Sequence, residues 1–242
     1  MPKLGISNSS DNAICLICKN PNATIVFEQR TKRLERNHYK CQICDCIFVP
    51  NKYHLNKTLQ QQRYLEHNND PSDARYRNFL SKATIPLLKQ IGRGAVGIDY
   101  GSGPGPTISP MLQDHGLKTV NFDPIFAPDK KVLSYKYDFI TCTETAEHFS
   151  TPLKEFRLFQ KLLKPNGVLV VMTSLLDTCK DFTTWGYNHD PTHIVFYSRL
   201  TMEWIGRKFQ WEINFPSETV TLFKIPRSVS YTHLTLPTIL LV

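Results

Sequence analysis

Short apolar runs alternate with amphipathic segments through the second half of the chain. Four of these runs have the length and composition of buried strands: residues 95–99, 119–122, 137–142 and 167–173. Helical patterns occupy the stretches between them, at residues 107–115 and 152–163, and the second helix is closed by Lys-Pro-Asn-Gly at 164–167. Alternation of this kind is typical of a parallel sheet with helices on both faces.

The pattern changes at both ends of this region. Residues 201–208 predict a last helix, followed by an antiparallel strand pair at 211–215 and 219–225. Val132 and Leu133 are the only trace of a further strand between the second and third apolar runs. The sequence therefore predicts an α/β fold whose sheet is mostly parallel and ends in an antiparallel pair.

The first third of the chain has a different texture. Residues 13–50 carry five cysteines around two short β-like runs, and residues 51–91 are polar and helical in pattern, divided into two helices at Pro71 and Ser72. Residues 229–234 resemble the translation of a sequencing-adapter repeat and continue no element, so we expect a non-native tail. The predicted divisions are a cysteine module at 1–50, a helical linker or lid at 51–91, an α/β domain at 92–227 and the tail at 228–242.

Composition narrows the class of protein. The 242 residues are 41% hydrophobic and 21% charged, as in ordinary globular proteins. Apolar runs such as residues 168–172 are too short to cross a bilayer, and no leader-like segment opens the chain, so we expect a cytoplasmic protein without a membrane partner. The net charge of +8 is compatible with nucleic-acid or anionic partners without requiring them. The densest basic patch is predicted to be a solvated hairpin loop: Arg30, Lys32, Arg33, Arg36 and Lys40.

A glycine-rich loop follows the first predicted strand of the α/β domain. Asp99 ends that strand, and Gly101, Gly103 and Gly105 alternate after it before a helix begins. The spacing is Gly-x-Gly-x-Gly, which differs from the Gly-x-Gly-x-x-Gly loop that presents a helix N-terminus to a pyrophosphate. An acidic residue before such a loop suits a ligand with an amino group and no phosphate. Asp123, about 20 residues on, is either a partner of ribose hydroxyls or a turn residue before Pro124.

These features together resemble the class I S-adenosylmethionine-dependent methyltransferases over roughly residues 64–226. The resemblance is carried by the loop 99–105, by Asp123, by Tyr-Asp-Phe-Ile-Thr-Cys-Thr-Glu at 137–144 and by Leu-Leu-Lys-Pro-Asn-Gly at 162–167. It implies a Rossmann-like sheet and adenosylmethionine as cofactor. The residues that it assigns to cofactor binding are Asp99, Gly101, Ser102, Gly103, Gly105, Asp123 and Thr143, the last near the methionine end.

A cluster of acidic residues and histidine follows the third predicted strand. Glu144, Glu147 and His148 are spaced i, i+3 and i+4, so one helical turn would bring them to the same face. The motif resembles that of the ubiquinone-pathway O-methyltransferases and of methyltransferases that modify the 3′-terminal 2′-hydroxyl of small RNAs. The resemblance implies a divalent ion, with a further histidine after the next strand; His193 is the candidate and His189 lies nearby.

Two chemistries remain open for this cluster. Carboxylates and imidazoles suit Mg²⁺, Mn²⁺ or Zn²⁺, and such an ion would lower the pKa of an acceptor hydroxyl. Alternatively, the Glu-His pair shapes a loop by hydrogen bonds without any metal. In either case we expect Glu147, His148 and His193 to be the catalytic residues, with the three histidines 148, 189 and 193 as candidate bases.

The cysteines predict a structural zinc site. Cys15 and Cys18 form one Cys-x-x-Cys pair and Cys41 and Cys44 another, with 22 residues between the pairs. Four thiolates in this arrangement bind zinc tetrahedrally and replace a core that would be too small to fold alone. Cys46 could substitute for Cys44, whereas Cys142 and Cys179 are predicted to be packing residues.

Three hypotheses follow for the function. The leading one is a methyltransferase that acts on a small molecule, at oxygen or else at nitrogen or carbon. The second is an RNA methyltransferase whose zinc-ribbon-like module presents the basic loop 30–40 to RNA; the module could instead cap the substrate cleft, as similar modules do in sugar C-methyltransferases. The third is a non-catalytic zinc-bearing binding protein, which failure to bind adenosylmethionine would indicate.

Overall fold

The computed structural model of the protein describes residues 13–32, 34–66 and 69–227. The predicted tail at 228–242, the first 12 residues and Arg33 therefore lie outside the described residues. The strands and helices follow in chain order: β1 (Thr24–Arg30), β2 (Glu35–Lys40), β3 (Ile47–Phe48), α1 (Lys57–Leu65), α2 (Ala74–Leu88), β4 (Val96–Tyr100), α3 (Ile108–Gln113), β5 (Lys118–Phe122), β6 (Tyr137–Thr143), α4 (Pro152–Leu162), β7 (Leu163–Met172), β8 (Val195–Phe196), α5 (Arg199–Phe209), β9 (Glu212–Ser217) and β10 (Val220–Lys224).

The large sheet has the strand order β5-β4-β6-β7-β10-β9. Its first four strands are parallel, and β10 runs antiparallel to both β7 and β9. The predicted α/β fold with a mainly parallel, Rossmann-like sheet and an antiparallel final pair is confirmed. Because the carboxyl ends of parallel strands meet at one edge, the loops after β4, β5 and β6 lie side by side.

The region between β5 and β6 differs from the sequence prediction. Val132 and Leu133 belong to a 3₁₀ helix, Lys130–Ser134. The prediction of a further strand at these residues is therefore wrong, and β5 is an edge strand of the large sheet. The Asp129 carboxylate caps this helix by accepting a hydrogen bond from the Lys131 N–H. Two adjacent apolar residues can pack one helical turn onto the core, but they do not supply an alternating strand face.

Helices cover both faces of the large sheet. On one face, α2 and α3 bury Leu80, Leu87 and Leu112 in an apolar cluster with strand residues. On the other face, α4 buries Phe156 and Phe159, and α5 also packs there. Burying each phenylalanine contributes about 1.5–3 kcal/mol. The helix α4 begins with a proline in its first turn, where no N–H is needed, as its sequence predicts.

The cysteine region forms a second sheet with the order β1-β2-β3-β8. Its fourth strand comes from the α/β region, because Ile47 pairs with Phe196 and Phe48 with Val195. One apolar cluster includes cysteines of the module together with residues of the large sheet and of α4. The cysteine module thus pairs with the segment that precedes α5. Within the described ranges, no helix is long and apolar enough to cross a membrane.

Candidate functional site

A cavity of about 530 Å³ opens at the carboxyl ends of β4, β5 and β6. The glycine loop and Asp123 form one side of it, and the segment 143–150 together with residues 187–193 forms another. Residues of α1 and α2, among them Tyr64, Tyr76 and Phe79, complete its wall. The two clusters that the sequence predicted separately therefore share one cavity.

Asp99 lies at the end of β4 and is only 2% exposed. Its carboxylate accepts a hydrogen bond of 2.8 Å from the Thr141 hydroxyl of β6. Burial, together with the charge of Asp123, raises the pKa of Asp99 to about 7, although the hydrogen bond from Thr141 acts to lower it. A carboxyl group in this state gains most from a positively charged ligand, which would favour its ionised form.

Each of the three loop positions is a glycine for a different structural reason. Gly101 has a φ of +81°, and a Cβ there would lie 2.2 Å from the side chain of Thr145. Gly103 has a φ of +64°, and its N–H donates to Asp123. Gly105 does not line the cavity; a Cβ there would lie 2.0 Å from the carbonyl oxygen of Asn69, so its close contact is with the α1–α2 connection.

Ser102 lies between the first two glycines and lines the cavity. Its hydroxyl oxygen is buried and has no hydrogen-bond partner among the described residues. Buried polar atoms of proteins are nearly always satisfied, so an unpartnered hydroxyl in a cavity wall indicates a position for a polar ligand atom.

Asp123 is a turn residue, as one of its two predicted roles requires, and it also lines the cavity. One carboxylate oxygen accepts the N–H groups of Ile125 at 2.8 Å and Phe126 at 3.0 Å, as a turn residue does. The other oxygen accepts the Gly103 N–H at 3.1 Å. The residue also lines the cavity, so the second oxygen fixes the glycine loop while retaining a lone pair for a ligand.

The acidic cluster after β6 is not arranged on one helical turn. Glu144 has a φ of +47°, and only Ala146–His148 forms a 3₁₀ turn. The turn therefore begins too late to bring Glu144 to the face of the other two. The ligand atoms of Glu147, His148 and His193 lie within 4.8 Å of one another, and Glu144 is not part of this group. Three of the four predicted ligand residues therefore come together, and Glu144 stays apart from them.

Glu144 nevertheless lines the cavity. Burial raises its pKa well above the usual range, and the charge of Glu147 adds to the effect. Thr143, the last residue of β6, also lines the cavity, as does Thr145. Two carboxyl groups of this segment therefore face the same space, and the pKa shift favours a protonated Glu144.

Glu147 is fully buried and belongs to a chain of hydrogen bonds. One of its oxygens accepts from the Thr173 hydroxyl at 2.9 Å, and that hydroxyl lies 2.8 Å from the phenol oxygen of Tyr187. Since the Thr173 proton is directed to Glu147, the Tyr187 phenol donates to Thr173. The second oxygen of Glu147 is buried without a hydrogen-bond partner among the described residues.

The two histidines are held alike by main-chain carbonyl groups. Nδ1 of His148 lies 2.9 Å from the Thr192 carbonyl oxygen, and Nδ1 of His193 lies 2.7 Å from that of Tyr187. A carbonyl only accepts, so each Nδ1 carries a proton and each Nε2 of a neutral ring has a free lone pair. Burial, together with the neighbouring His148, lowers the pKa of His193 to about 4. His189 is exposed and is not among the cavity residues, so the structure does not bring it to the site.

Asp190 and Arg63 also belong to this site, although the sequence analysis assigned neither a role. Asp190 lines the cavity, accepts from the Thr192 N–H at 2.8 Å and pairs with Arg63 of α1 at 2.8 Å. Burial opposes ionisation, but these hydrogen bonds and the charge of His193 hold the pKa of Asp190 well below its usual range. The Asp-x-Thr spacing at 190–192 was the signal that could have identified the turn.

The four predicted zinc ligands form a compact cluster. The Sγ atoms of Cys15, Cys18, Cys41 and Cys44 all lie within 4.8 Å of one another. The two turns are alike: a left-handed residue, Lys19 or Asp45, follows each pair, and its N–H donates to the carbonyl of the first cysteine. Cys46 is outside this group, and its thiol donates to the Ile47 carbonyl oxygen.

The charges around the cavity contrast with the net charge of the chain. Among the described residues that line it there is no lysine or arginine, but there are six carboxyl groups: Asp99, Asp123, Glu144, Glu147, Glu155 and Asp190.

The basic patch at residues 30–40 differs from the solvated hairpin loop that the sequence predicted. Arg36 lies in β2 and is fully buried, and Lys40 pairs with Asp45 at 2.7 Å, so the patch is not a uniformly solvated cationic surface.

Comparison with known proteins adds a family match. Residues 72–214, more than half of the chain, match the family described as a methyltransferase domain. A solved O-methyltransferase family protein from Burkholderia thailandensis is 15% identical, with a TM-score of 0.47; the alignment covers 71% of this chain and 63% of that chain, so this chain spans less than two thirds of its length.

Two further solved structures are similar. The 1,6-didemethyltoxoflavin-N1-methyltransferase of B. thailandensis, with S-adenosylhomocysteine bound, is 13% identical over 77% of this chain and 98% of that chain, with a TM-score of 0.49. A possible histamine N-methyltransferase from Thermotoga maritima is 16% identical over 69% and 95%, with a TM-score of 0.42. No curated protein sequence matches the chain.

Proposed function

The chain belongs to the methyltransferase domain family, and from this premise we propose that it transfers a methyl group from adenosylmethionine to an oxygen of a small-molecule acceptor. One observation carries the proposal. A single cavity joins Asp99 and Asp123 at the ends of β4 and β5 to Glu147, His148 and His193 beyond β6. Cofactor and acceptor would therefore meet within one cavity, which is what methyl transfer by alignment requires.

The residues at the first end fit the cofactor. The unpartnered hydroxyl of Ser102 and the buried carboxyl group of Asp99 are suited to the polar methionine end. The Asp123 oxygen that holds Gly103 can also accept hydrogen bonds from ribose hydroxyls. We assign Thr143 and the backbone at Gly101 and Gly103 to the same subsite. Adenosylmethionine, when bound, supplies a methyl group on a cationic sulfur that is already a good leaving group.

We assign the acceptor to the histidine end of the cavity. His193 is neutral at physiological pH because its pKa is about 4, and the carbonyl bond to Nδ1 leaves Nε2 as the acceptor of a proton. His148 is constrained in the same way by Thr192. Either ring can take the proton of an acceptor hydroxyl as the methyl group is transferred. The buried Glu147 carboxylate stabilises the imidazolium that forms.

The same three side chains also suit a divalent ion, which is the second candidate. The free Glu147 oxygen is buried and unpartnered in the described structure, and both imidazoles are oriented by carbonyl groups as metal-bound histidines are. Without Glu144 the set is two imidazoles and one carboxylate, which favours Zn²⁺, Mn²⁺ or Fe²⁺ over Mg²⁺. Mn²⁺ titration of the Glu147→Gln variant against the wild-type protein tests this candidate.

The cavity charges favour a small acceptor over RNA. An RNA backbone carries one negative charge per nucleotide and needs cations along its path. The described cavity lining supplies carboxyl groups instead, and Arg36 of the basic patch is buried. A neutral or cationic acceptor is therefore the better electrostatic match. We assign the cysteine cluster to structural zinc because its four sulfur atoms lie close together and each cysteine pair is followed by the same kind of turn.

The test is transfer of labelled methyl groups. Purified protein and methyl-labelled adenosylmethionine are incubated with a cell extract, which is then separated into RNA and low-molecular-mass fractions. The proposal predicts label among the small molecules, in a form that is stable to base if it is an ether. Label in RNA would replace the proposal by the RNA hypothesis. Failure to bind adenosylmethionine would favour a non-catalytic zinc-bearing protein.

A further inference from the structure

Arg36 lies in the cysteine module, yet its side chain reaches the site in the α/β region. The side chain is fully buried, and its Nε donates to the Gln29 amide oxygen at 2.9 Å. The two terminal nitrogens donate to four main-chain carbonyl groups of one loop: Asn188, Asp190 at 3.0 Å, Pro191 at 3.3 Å and His193 at 2.9 Å.

This arrangement is unusual for a buried cation. The guanidinium donates these hydrogen bonds to neutral oxygens, and Asp190 is the acidic group whose charge acts on it. Burial lowers the pKa of Arg36 to about 10, so the group stays protonated at neutral pH. Burying a charge costs free energy unless its hydrogen bonds are complete, and only the planar fork of arginine matches several carbonyl groups at once.

The loop held by Arg36 carries two cavity residues. Asp190 and His193 both lie within residues 188–193 and both line the cavity. Arg36 binds the carbonyl oxygen of His193 itself, three bonds from the side chain. Just after His193, the Ile194 carbonyl accepts the Val49 N–H of the module, and the Ile194 N–H donates to the Glu147 carbonyl oxygen.

We infer that Arg36 is a positioning residue for methyl transfer: by binding the carbonyl groups of residues 188–193, it sets the His193 imidazole against Glu147 and His148. The inference rests on the function proposed above, in which His193 faces the acceptor. It gives the cysteine module a task at the site that needs no contact with substrate. The module holds the loop that precedes α5 in place.

The test compares Arg36→Lys with a matched control, Arg30→Lys. Arg30 lies in the neighbouring strand of the same hairpin, and its guanidinium bonds to Glu28, Gln29, Arg36 and Asn37 but to nothing in residues 188–193. Lysine keeps the charge but, with one nitrogen, cannot span the four carbonyl groups. The readout is amide hydrogen exchange at Ile194, whose N–H donates to the Glu147 carbonyl oxygen, together with the rate of methyl transfer at saturating cofactor.

The groups that face His193 are Glu147 and His148 from the β6 side and Tyr187 and Asp190 from its own loop. In Arg36→Lys, we expect exchange at Ile194 to become at least tenfold faster, because a loosened loop opens the Ile194–Glu147 hydrogen bond more often. Label transfer should fall at least tenfold while adenosylmethionine affinity stays within twofold. Arg30→Lys should change neither.

Either of two results would overturn the inference. Unchanged exchange at Ile194 in Arg36→Lys would show that the loop keeps its place without the guanidinium, and an equal increase in Arg30→Lys would show a general effect of the hairpin. If Arg36→Lys does not fold, Gln29→Ala, which removes only the Nε partner, takes its place. It must produce a smaller increase in exchange at Ile194, and no increase would overturn the inference. A wild-type protein that does not bind adenosylmethionine would refute the proposed function, whereas exchange at Ile194 would still decide whether Arg36 holds the loop.

Discussion

The Asp123→Asn substitution separates the turn-capping role of this residue from its proposed contact with the cofactor. The side chain keeps its size, and the amide oxygen can still accept the Ile125 and Phe126 N–H groups of the turn. The changed atom is the oxygen that accepts from Gly103 and lines the cavity. It becomes an NH₂ group, which cannot accept hydrogen bonds from ribose hydroxyls.

The expected loss follows from the bonds removed. Hydrogen bonds to a charged group contribute about 1.5–3 kcal/mol, so adenosylmethionine should bind roughly 10- to 150-fold more weakly. Isothermal titration calorimetry measures this loss directly. The matched control is Asp129→Asn, which changes an exposed aspartate that also caps a turn but does not line the cavity. The control should leave affinity unchanged.

Thermal unfolding is measured on the same variants. If Asp123→Asn lowers the melting temperature of the free protein and leaves the dissociation constant within twofold, the residue is a turn cap only. That result would refute the ribose assignment. Equal losses of affinity in Asp123→Asn and Asp129→Asn would refute it as well, because they would indicate a general change in the β5–β6 connection.

Three further predictions test other parts of the site. Freshly purified, reduced protein should contain one zinc per chain, and Cys41→Ser should lose it; absence of zinc from the wild-type protein would contradict the assignment. Because the folded-state pKa of Asp99 is raised to about 7, its contribution to stability is present below pH 4 and is lost as pH rises through 7, so Asp99→Asn should raise the melting temperature of the free protein at pH 8 but not at pH 4. Glu147→Gln should slow methyl transfer by about 10²–10⁴-fold while calorimetry finds adenosylmethionine affinity nearly intact, and equal loss of both would show that Glu147 only supports the fold.

Much of the α/β fold was predictable because its signals are local. The apolar run before Asp99 and the proline at the start of α4 each define an element without reference to distant residues. The cysteine pairs were equally clear, since their spacing alone fixes two similar turns. The strand prediction at Val132 and Leu133 was wrong because an apolar pair fits a packed 3₁₀ turn as well as a short strand.

The features that the sequence did not reveal depend on contacts between distant segments. Arg36 looks like part of a basic surface patch until residues 188–193 supply the carbonyl groups that surround it. The strand β8 has only two residues and exists because β3 pairs with it. Glu144 was placed with Glu147 by helical spacing, but its left-handed backbone delays the turn. In each case the partner lies far away in the chain or the backbone departs from the regular period.

The most direct test of the account follows labelled methyl groups in three proteins side by side. Wild-type protein, Asp123→Asn and His193→Gln are compared for adenosylmethionine affinity and for transfer of label to the low-molecular-mass fraction. If one cavity holds cofactor at Asp99 and Asp123 and acceptor at His193, Asp123→Asn loses affinity, and its transfer recovers at high cofactor concentration. His193→Gln then binds cofactor normally and transfers label at least tenfold more slowly at any concentration. Normal transfer by His193→Gln, or label that enters RNA instead, would contradict the account.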